Sequence, residues 1–129
     1  METVPEDRVT AAEFLDQAKL FLDDASGHEL SAPSEAVLLQ NAAISAYDAI
    51  LQAAGLRVTA GDGAHVLRMR EALAQLDQDT DDLYERLDAT RERRHEASYA
   101  AMPVAAQSVS EAREAIIELI ELSRAFIEG

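Results

Sequence analysis

The chain has 129 residues, of which 48% are hydrophobic, and these values predict one domain folded around its own core. Its 25 Asp and Glu against 11 Lys and Arg give a formal net charge of -14, which argues against sequence-tolerant binding of nucleic acid and against attraction to anionic membranes. The absence of cysteine excludes disulfides, thiol nucleophiles, thiolate zinc sites and iron–sulfur clusters.

Neither a targeting segment nor a membrane span is predicted. The first ten residues, METVPEDRVT, lack the apolar run of a signal peptide, and apolar residues nowhere continue for the roughly 18 positions that cross a bilayer. We therefore expect a cytoplasmic protein that does not contact membranes. The aromatic content of 5% and the abundance of Ala and Leu favour helices over sheets.

Capping residues and apolar periodicity predict the first two helices. Thr10 and Glu13 form a capping-box pattern, and an apolar face follows it. The members of this face are Phe14, Ala18, Phe21 and Leu22. A second helix is predicted from Ser34 to Gly55, a residue suited to a left-handed helix end. Its stripe of small residues predicts the central, most buried helix and comprises Leu39, Ala42, Ala43, Ala46, Ile50 and Ala53.

Three more helices are predicted after a loop at residues 57–63. The third spans about 64–76 and the fourth begins at about residue 80 and ends at Tyr99 or Met102, before Pro103. The last begins with the capping-box pair Ser108 and Glu111. The predicted inward residues are Met69, Leu73 and Leu76, then Leu83, Leu87, Thr90, Arg94 and Ala97, then Val109, Ala112, Ile116, Leu119, Ile120, Ser123 and Ile127.

Five helices with short polar connections predict an all-α fold. We expect an up-and-down bundle in a single domain over residues 1–129, with its core at about 10–128. No repeat, low-complexity tract or linker divides the sequence.

A cluster of arginines in the fourth helix is the main anomaly of this acidic chain. The cluster occupies nine positions and consists of Arg86, Arg91, Arg93 and Arg94, with His95 directly after. Arg94 lies within about 20° of the apolar stripe through Leu83 and Leu87, so its guanidinium requires a partner.

Four side chains of this helix can share one neighbourhood. They are Arg91, Arg94, His95 and Tyr99. Two guanidiniums, an imidazole and a phenol can hold a phosphate oxygen, which predicts a ligand or partner site. The alternative is that the arginines pair with nearby acidic residues, which are Asp82, Asp88, Glu92 and Glu96. The residue pattern leaves both interpretations open.

The remaining histidines give weaker signals. His65 follows a Gly-Asp-Gly loop at a predicted helix start, where it can line a binding pocket or pack as a hydrogen-bonded structural residue. His28 is expected to face water. No two histidines have helical metal spacing, and neither a nucleophile-elbow nor a phosphate-loop pattern occurs. We therefore predict no metal and no cofactor.

The order of these features resembles the HEPN superfamily, all-helical domains named for higher eukaryotes and prokaryotes nucleotide-binding. The resemblance spans about residues 10–128 and rests on three features in sequence: a central helix ending AYDAILQAAG, a glycine-containing loop with Asp62 and His65, and a long helix ending RHEASY before a final amphipathic helix. It implies a homodimer in which two copies of a motif meet in a cleft.

Active HEPN proteins are metal-independent ribonucleases, often toxins or phage-defence effectors, with an Arg, a polar follower and a His that is separated from the Arg by four to six residues. If Arg94 is that Arg, His95 is the polar follower and Tyr99 occupies the catalytic His position. Tyrosine, with an unperturbed pKa of about 10, is a poor base at neutral pH. Aligning Arg91 instead leaves too short a spacing to His95. Non-catalytic relatives with an Arg and a downstream Tyr resemble this chain more closely, and some occur beside minimal nucleotidyltransferases.

The resemblance therefore implies a catalytically degenerate binding or regulatory module. Such a module would be homodimeric, belong to a nucleic-acid-related system of the toxin–antitoxin or phage-defence type, and take RNA, a nucleotide, a nucleotidyltransferase or another protein as partner. Its binding residues would be Arg91, Arg94, His95, Tyr99 and His65. The alternative is a metal-independent endoribonuclease with a rearranged site, for which the candidate catalytic residues are Arg94, His95 and Tyr99. A third interpretation is a bundle that serves only to dimerise.

Overall fold

The computed structural model describes residues 1–27, 30–59, 64–99 and 106–129, without the side chains of 93–99 and 106–108. Helices dominate this part of the chain, and the predicted all-α bundle is confirmed. The elements are β1 (Glu2–Thr3), α1 (Arg8–Ala25), α2 (Ala32–Ala54), β2 (Leu56–Arg57), α3 (Ala64–Ala74), α4 (Asp81–Tyr99) and α5 (Ala106–Glu128). None of the helices in the described ranges is long and apolar enough to cross a bilayer.

Helix α2 is the centre of the bundle, as predicted. It packs against α1, α3, α4 and α5. All six residues of its predicted stripe are at most 5% exposed, and the small side chains among them allow close approach of the neighbouring helices. The helix ends at Gly55, whose φ of 74° is left-handed and whose N–H bonds to the carbonyls of Leu51 and Gln52. It begins two residues before the predicted Ser34, because Ser31 is the N-cap and accepts a hydrogen bond from the Ser34 N–H.

The inward faces of α3, α4 and α5 also follow the predicted periodicity. On α1 only Ala18 of the predicted face is buried, whereas Phe14, Phe21 and Leu22 are half-buried and pack against the core. The predicted residues of α3 and α5, together with Leu83, Leu87 and Thr90 of α4, are all buried in the core. The side chains of Arg94 and Ala97, which complete the predicted α4 stripe, lie outside the described residues. The cap predicted at Ser108 is wrong, because α5 already begins at Ala106.

The cap of α1 differs from the sequence prediction by one turn. Asp7, not Thr10, is the N-cap: its carboxylate accepts hydrogen bonds from the Thr10 N–H at 2.9 Å and from the Thr10 hydroxyl at 2.7 Å. Thr10 therefore lies inside the helix and acts as a donor. Chiefly because of the backbone hydrogen bond from Thr10, the pKa of the Asp7 carboxyl is below its ordinary value.

This depressed pKa predicts a pH-dependent effect of removing the cap. A carboxyl whose pKa is lowered by folding stabilises the protein above its unfolded pKa, and this stabilisation is lost as pH falls through the folded pKa. We expect Asp7→Ala to lower the melting temperature near neutral pH and to have a shrinking effect toward about pH 3, measured by circular dichroism. Asp16→Ala, at an exposed position within α1, is the control. An Asp7→Ala effect that is equal at both pH values would contradict this account.

A two-stranded sheet, which the sequence did not predict, attaches the N-terminal segment to the end of α2. Strands β1 and β2 are antiparallel, with Glu2 opposite Arg57 and Thr3 opposite Leu56. The Val4 N–H donates to the Gly55 carbonyl at 2.9 Å, and the Asp7 N–H donates to the Gln52 carbonyl at 3.1 Å. These bonds hold the segment before α1 against the loop that leaves α2.

Candidate functional site

The predicted arginine cluster lies on α4, which is anchored to the bundle by its buried residues. Leu83 and Leu87 pack in the core, and the buried Thr90 hydroxyl donates to the Arg86 carbonyl one turn earlier at 3.1 Å. The helical backbone continues to Tyr99. We call residues 91–99 of α4 the basic segment. The side chains of Arg94, His95 and Tyr99 lie outside the described residues, so the described contacts of this segment are those of Arg91 and Glu92.

Arg86 precedes the basic segment and joins α4 to α5. Its Nε donates to Asp82 at 2.9 Å, and its Nη2 donates to Glu118 of α5 at 2.5 Å. The hydrogen bond to Glu118 is the main reason that the pKa of Arg86 is raised above its ordinary value. For this arginine, pairing with acidic residues is the arrangement found, and its role is structural.

Arg91 is also paired, but its environment differs. Its Nε donates to Asp88 Oδ1 at 3.0 Å, and its Nη2 lies 3.9 Å from Glu92 Oε1. About a third of the Arg91 and Asp88 side chains is exposed, at 30% and 32%. The guanidinium is therefore oriented by a carboxylate of its own helix while part of it remains accessible.

The charges of the Asp88–Arg91 pair act on a buried phenol of α2, Tyr47, which the sequence did not mark as functional. Tyr47 is 2% exposed, and burial raises the pKa of its hydroxyl above the ordinary value. The charge of Asp88 and the neighbouring Tyr84 raise this pKa further, whereas the charge of Arg91 lowers it. The hydroxyl therefore remains protonated at neutral pH. The one signal in the sequence was an aromatic residue within the small-residue stretch of the central helix.

A second polar group lies where α3 meets α2. Arg68 Nε donates to Asp48 Oδ1 at 2.8 Å, and Arg68 Nη1 lies 3.5 Å from His65 Nδ1. Burial raises the pKa of the Asp48 carboxyl above its ordinary value, although Arg68 and His65 oppose this shift. The predicted candidate His65 is thus an exposed neighbour of an ion pair that the sequence prediction missed. The sequence did contain one sign of this contact, because residues three apart on a helix, such as His65 and Arg68, lie on the same face.

Both groups border the same turn of α2. Tyr47 and Asp48 are consecutive, so their side chains point about 100° apart around the helix. Tyr47 is within electrostatic reach of Arg91 on α4, and Asp48 contacts Arg68 on α3. The predicted site residues Arg91 and His65 therefore approach the central helix from two different helices.

The chemistry available to the described side chains is anion exchange. Arg91 is neutralised by Asp88, with Glu92 at 3.9 Å from its Nη2, and a ligand anion can take the place of Asp88 on this partly exposed guanidinium. In the ranges with described side chains, no three His, Asp or Glu residues come together in an arrangement that could hold a metal ion.

No protein-family model matches the chain, and comparisons with curated proteins and with solved structures find no significant match.

Proposed function

We propose that the chain is a HEPN-like binding module that holds RNA or a nucleotide by its phosphate at the basic segment of α4 and does not cleave it. The observation that carries this proposal is the Asp88–Arg91 pair, in which Asp88 orients a partly exposed guanidinium. The charges of this pair also reach the buried phenol of Tyr47. Binding rather than cleavage is favoured because the HEPN resemblance, with Arg94 as the motif Arg, puts Tyr99 where active members have the catalytic histidine.

Exchange of Asp88 for a phosphate is energetically accessible. A partly exposed ion pair contributes only about 0.2–1 kcal/mol in most proteins, because water screens it and holding the two side chains costs entropy. Phosphate can accept two parallel hydrogen bonds from one guanidinium and forms charge-assisted bonds. Asp88 thus pre-orients Arg91 in the free protein and competes weakly with the ligand.

Dimerisation would strengthen this site in an otherwise acidic protein. Two copies of the basic segment brought together, as in the HEPN arrangement, would produce a local positive potential despite a net charge of -14 per chain. The acidic remainder suits a basic partner protein, and a nucleotidyltransferase in a toxin–antitoxin or phage-defence system fits the resemblance. We place this activity in the cytoplasm.

Two substitutions with opposite effects test the binding site. We expect Arg91→Gln to weaken binding of a fluorescently labelled RNA oligomer roughly tenfold, because one charge-assisted contact is lost. We expect Asp88→Asn to tighten binding several-fold, because the competing carboxylate loses its charge. Fluorescence anisotropy at low salt measures both affinities.

The control is Arg124→Gln, which removes an exposed arginine from α5 and is expected to leave the affinity unchanged. Circular dichroism verifies that all three variants fold. If Asp88→Asn weakens binding as much as Arg91→Gln does, the pair is a structural element, and the proposal that Arg91 exchanges Asp88 for a phosphate is wrong. Equal weakening by Arg91→Gln and Arg124→Gln would indicate nonspecific attraction.

A further inference from the structure

A cleft between α1, α2, β2 and α3 lies apart from the basic segment and shares no lining residue with it. Its volume is about 180 Å³. Its apolar wall is formed by Phe14, Leu51, Leu56 and Val58, of which Leu51 belongs to the buried core and the others are packed against it. For comparison, an apolar protein cavity of roughly 150 Å³ binds benzene. The cleft is therefore large enough for one small ring, and these four side chains provide apolar contacts on part of its lining.

The same cleft is also lined by the amide of Gln52 and by two guanidiniums and one carboxylate, from Arg57, Arg68 and Asp48. Arg68 uses Nε for Asp48 and Nη1 for His65, and among the described residues its Nη2 makes no hydrogen bond. The Nη2 group of Arg68 is therefore available to donate a hydrogen bond to a ligand.

The second guanidinium is held loosely. Arg57 Nε lies 3.7 Å from Glu2 Oε2, and the two side chains are 67% and 50% exposed. Such a pair contributes little and is readily exchanged. An anion in the cleft would meet Arg68, which is fixed by Asp48, and the exposed guanidinium of Arg57, which has only a long contact to Glu2 to give up.

We propose that this cleft binds a small aryl carboxylate, with the ring among Phe14, Leu51, Leu56 and Val58 and the carboxylate on Arg68 and Arg57. Planar carboxylates match the paired donors of arginine, and an apolar ring replaces water against the apolar side chains of the lining. The site is independent of the proposed binding of RNA, so either proposal can fail without the other.

Three probes of one size and different charge test the proposal. Benzoate, benzyl alcohol and benzylamine are titrated into the ¹⁵N-labelled full chain, and amide shifts are followed by NMR. We expect benzoate to cause saturable shifts at the amides of Leu51, Leu56 and Val58 with a Kd below about 10 mM. We expect benzyl alcohol and benzylamine to bind at least roughly tenfold more weakly, because neither supplies an anion.

Variants test separately whether the arginines and the apolar side chains of the cleft contribute to benzoate binding. Arg68→Gln is expected to weaken benzoate binding roughly tenfold, and Val58→Phe is expected to abolish it by filling the cleft. Because Arg68→Gln leaves Asp48 without its partner, Arg57→Gln provides a second arginine test at an exposed position. The matched control is Arg70→Gln, an exposed residue of the same helix that does not line the cleft.

Three results would overturn the proposal. The first is the absence of saturable shifts at these amides up to about 10 mM benzoate. The second is equal affinity for benzyl alcohol and benzoate, which would make the cleft an apolar pocket only. The third is benzoate affinity that neither Arg57→Gln nor Arg68→Gln reduces in folded protein.

Discussion

Leu39→Ala is expected to lower the free energy of unfolding by about 2–5 kcal/mol, in the upper part of that range. Leu39 is fully buried on the central helix α2, and its loss leaves a cavity in addition to the lost burial. The following members of its stripe, Ala42, Ala43 and Ala46, have side chains too small to fill the space. Urea unfolding followed by circular dichroism measures the loss.

Leu20→Ala is the matched control for this substitution. Leu20 lies on α1 and is 63% exposed, so the same chemical change removes little buried surface. We expect its effect to stay within about 0.5 kcal/mol. Similar losses for Leu39→Ala and Leu20→Ala would mean that α2 is not the centre of the core.

Gly55→Ala is expected to destabilise the protein by about 2 kcal/mol or more, for two separable reasons. The φ of 74° alone costs a residue with a Cβ about 1–2 kcal/mol. In addition, an added Cβ would lie 2.7 Å from the Val4 carbonyl oxygen and 3.1 Å from Glu6 Cγ, so the N-terminal segment must move. Urea unfolding gives the total effect.

Gly55→Asn separates the two contributions. Asparagine tolerates the left-handed conformation better than alanine but brings the same Cβ. We therefore expect an intermediate loss of stability, together with faster hydrogen exchange at the amides of Val4 and Asp7 in both variants. These amides bond to the end of α2 in the native chain. Unchanged exchange at Val4 and Asp7 would show that the segment is not displaced.

The helices were largely predictable because their signals are local. Gly55 ends α2 as predicted, and the apolar periodicity identified its buried stripe. Cap positions were less predictable, because Asp7 and Thr10 are both good N-cap residues one turn apart and the sequence does not rank them. The sheet was missed because two-residue strands carry no periodicity and their pairing joins Thr3 to Leu56.

The candidate site was only partly predictable, because its contacts join residues far apart in sequence. The arginine cluster and His65 stood out by composition and position, but Asp48 and Arg68 are 20 residues apart, and only the packing of α2 against α3 brings them together. Likewise, Arg86 pairs with Glu118 across 32 residues. Tyr47 was missed because its raised pKa depends on burial and on the charges of α4 residues about 40 positions later, which its neighbours in the sequence do not reveal.

The most direct test of the proposed function is the fate of RNA bound to the protein. Purified protein is incubated with a mixed RNA pool without metal, beside an Arg94→Ala variant, and each reaction is divided between a native and a denaturing gel. We predict that the unmodified protein shifts RNA on the native gel, that Arg94→Ala reduces this shift, and that all RNA remains full-length on the denaturing gel. Cleavage by the unmodified protein that is lost in Arg94→Ala would contradict the account and identify a ribonuclease.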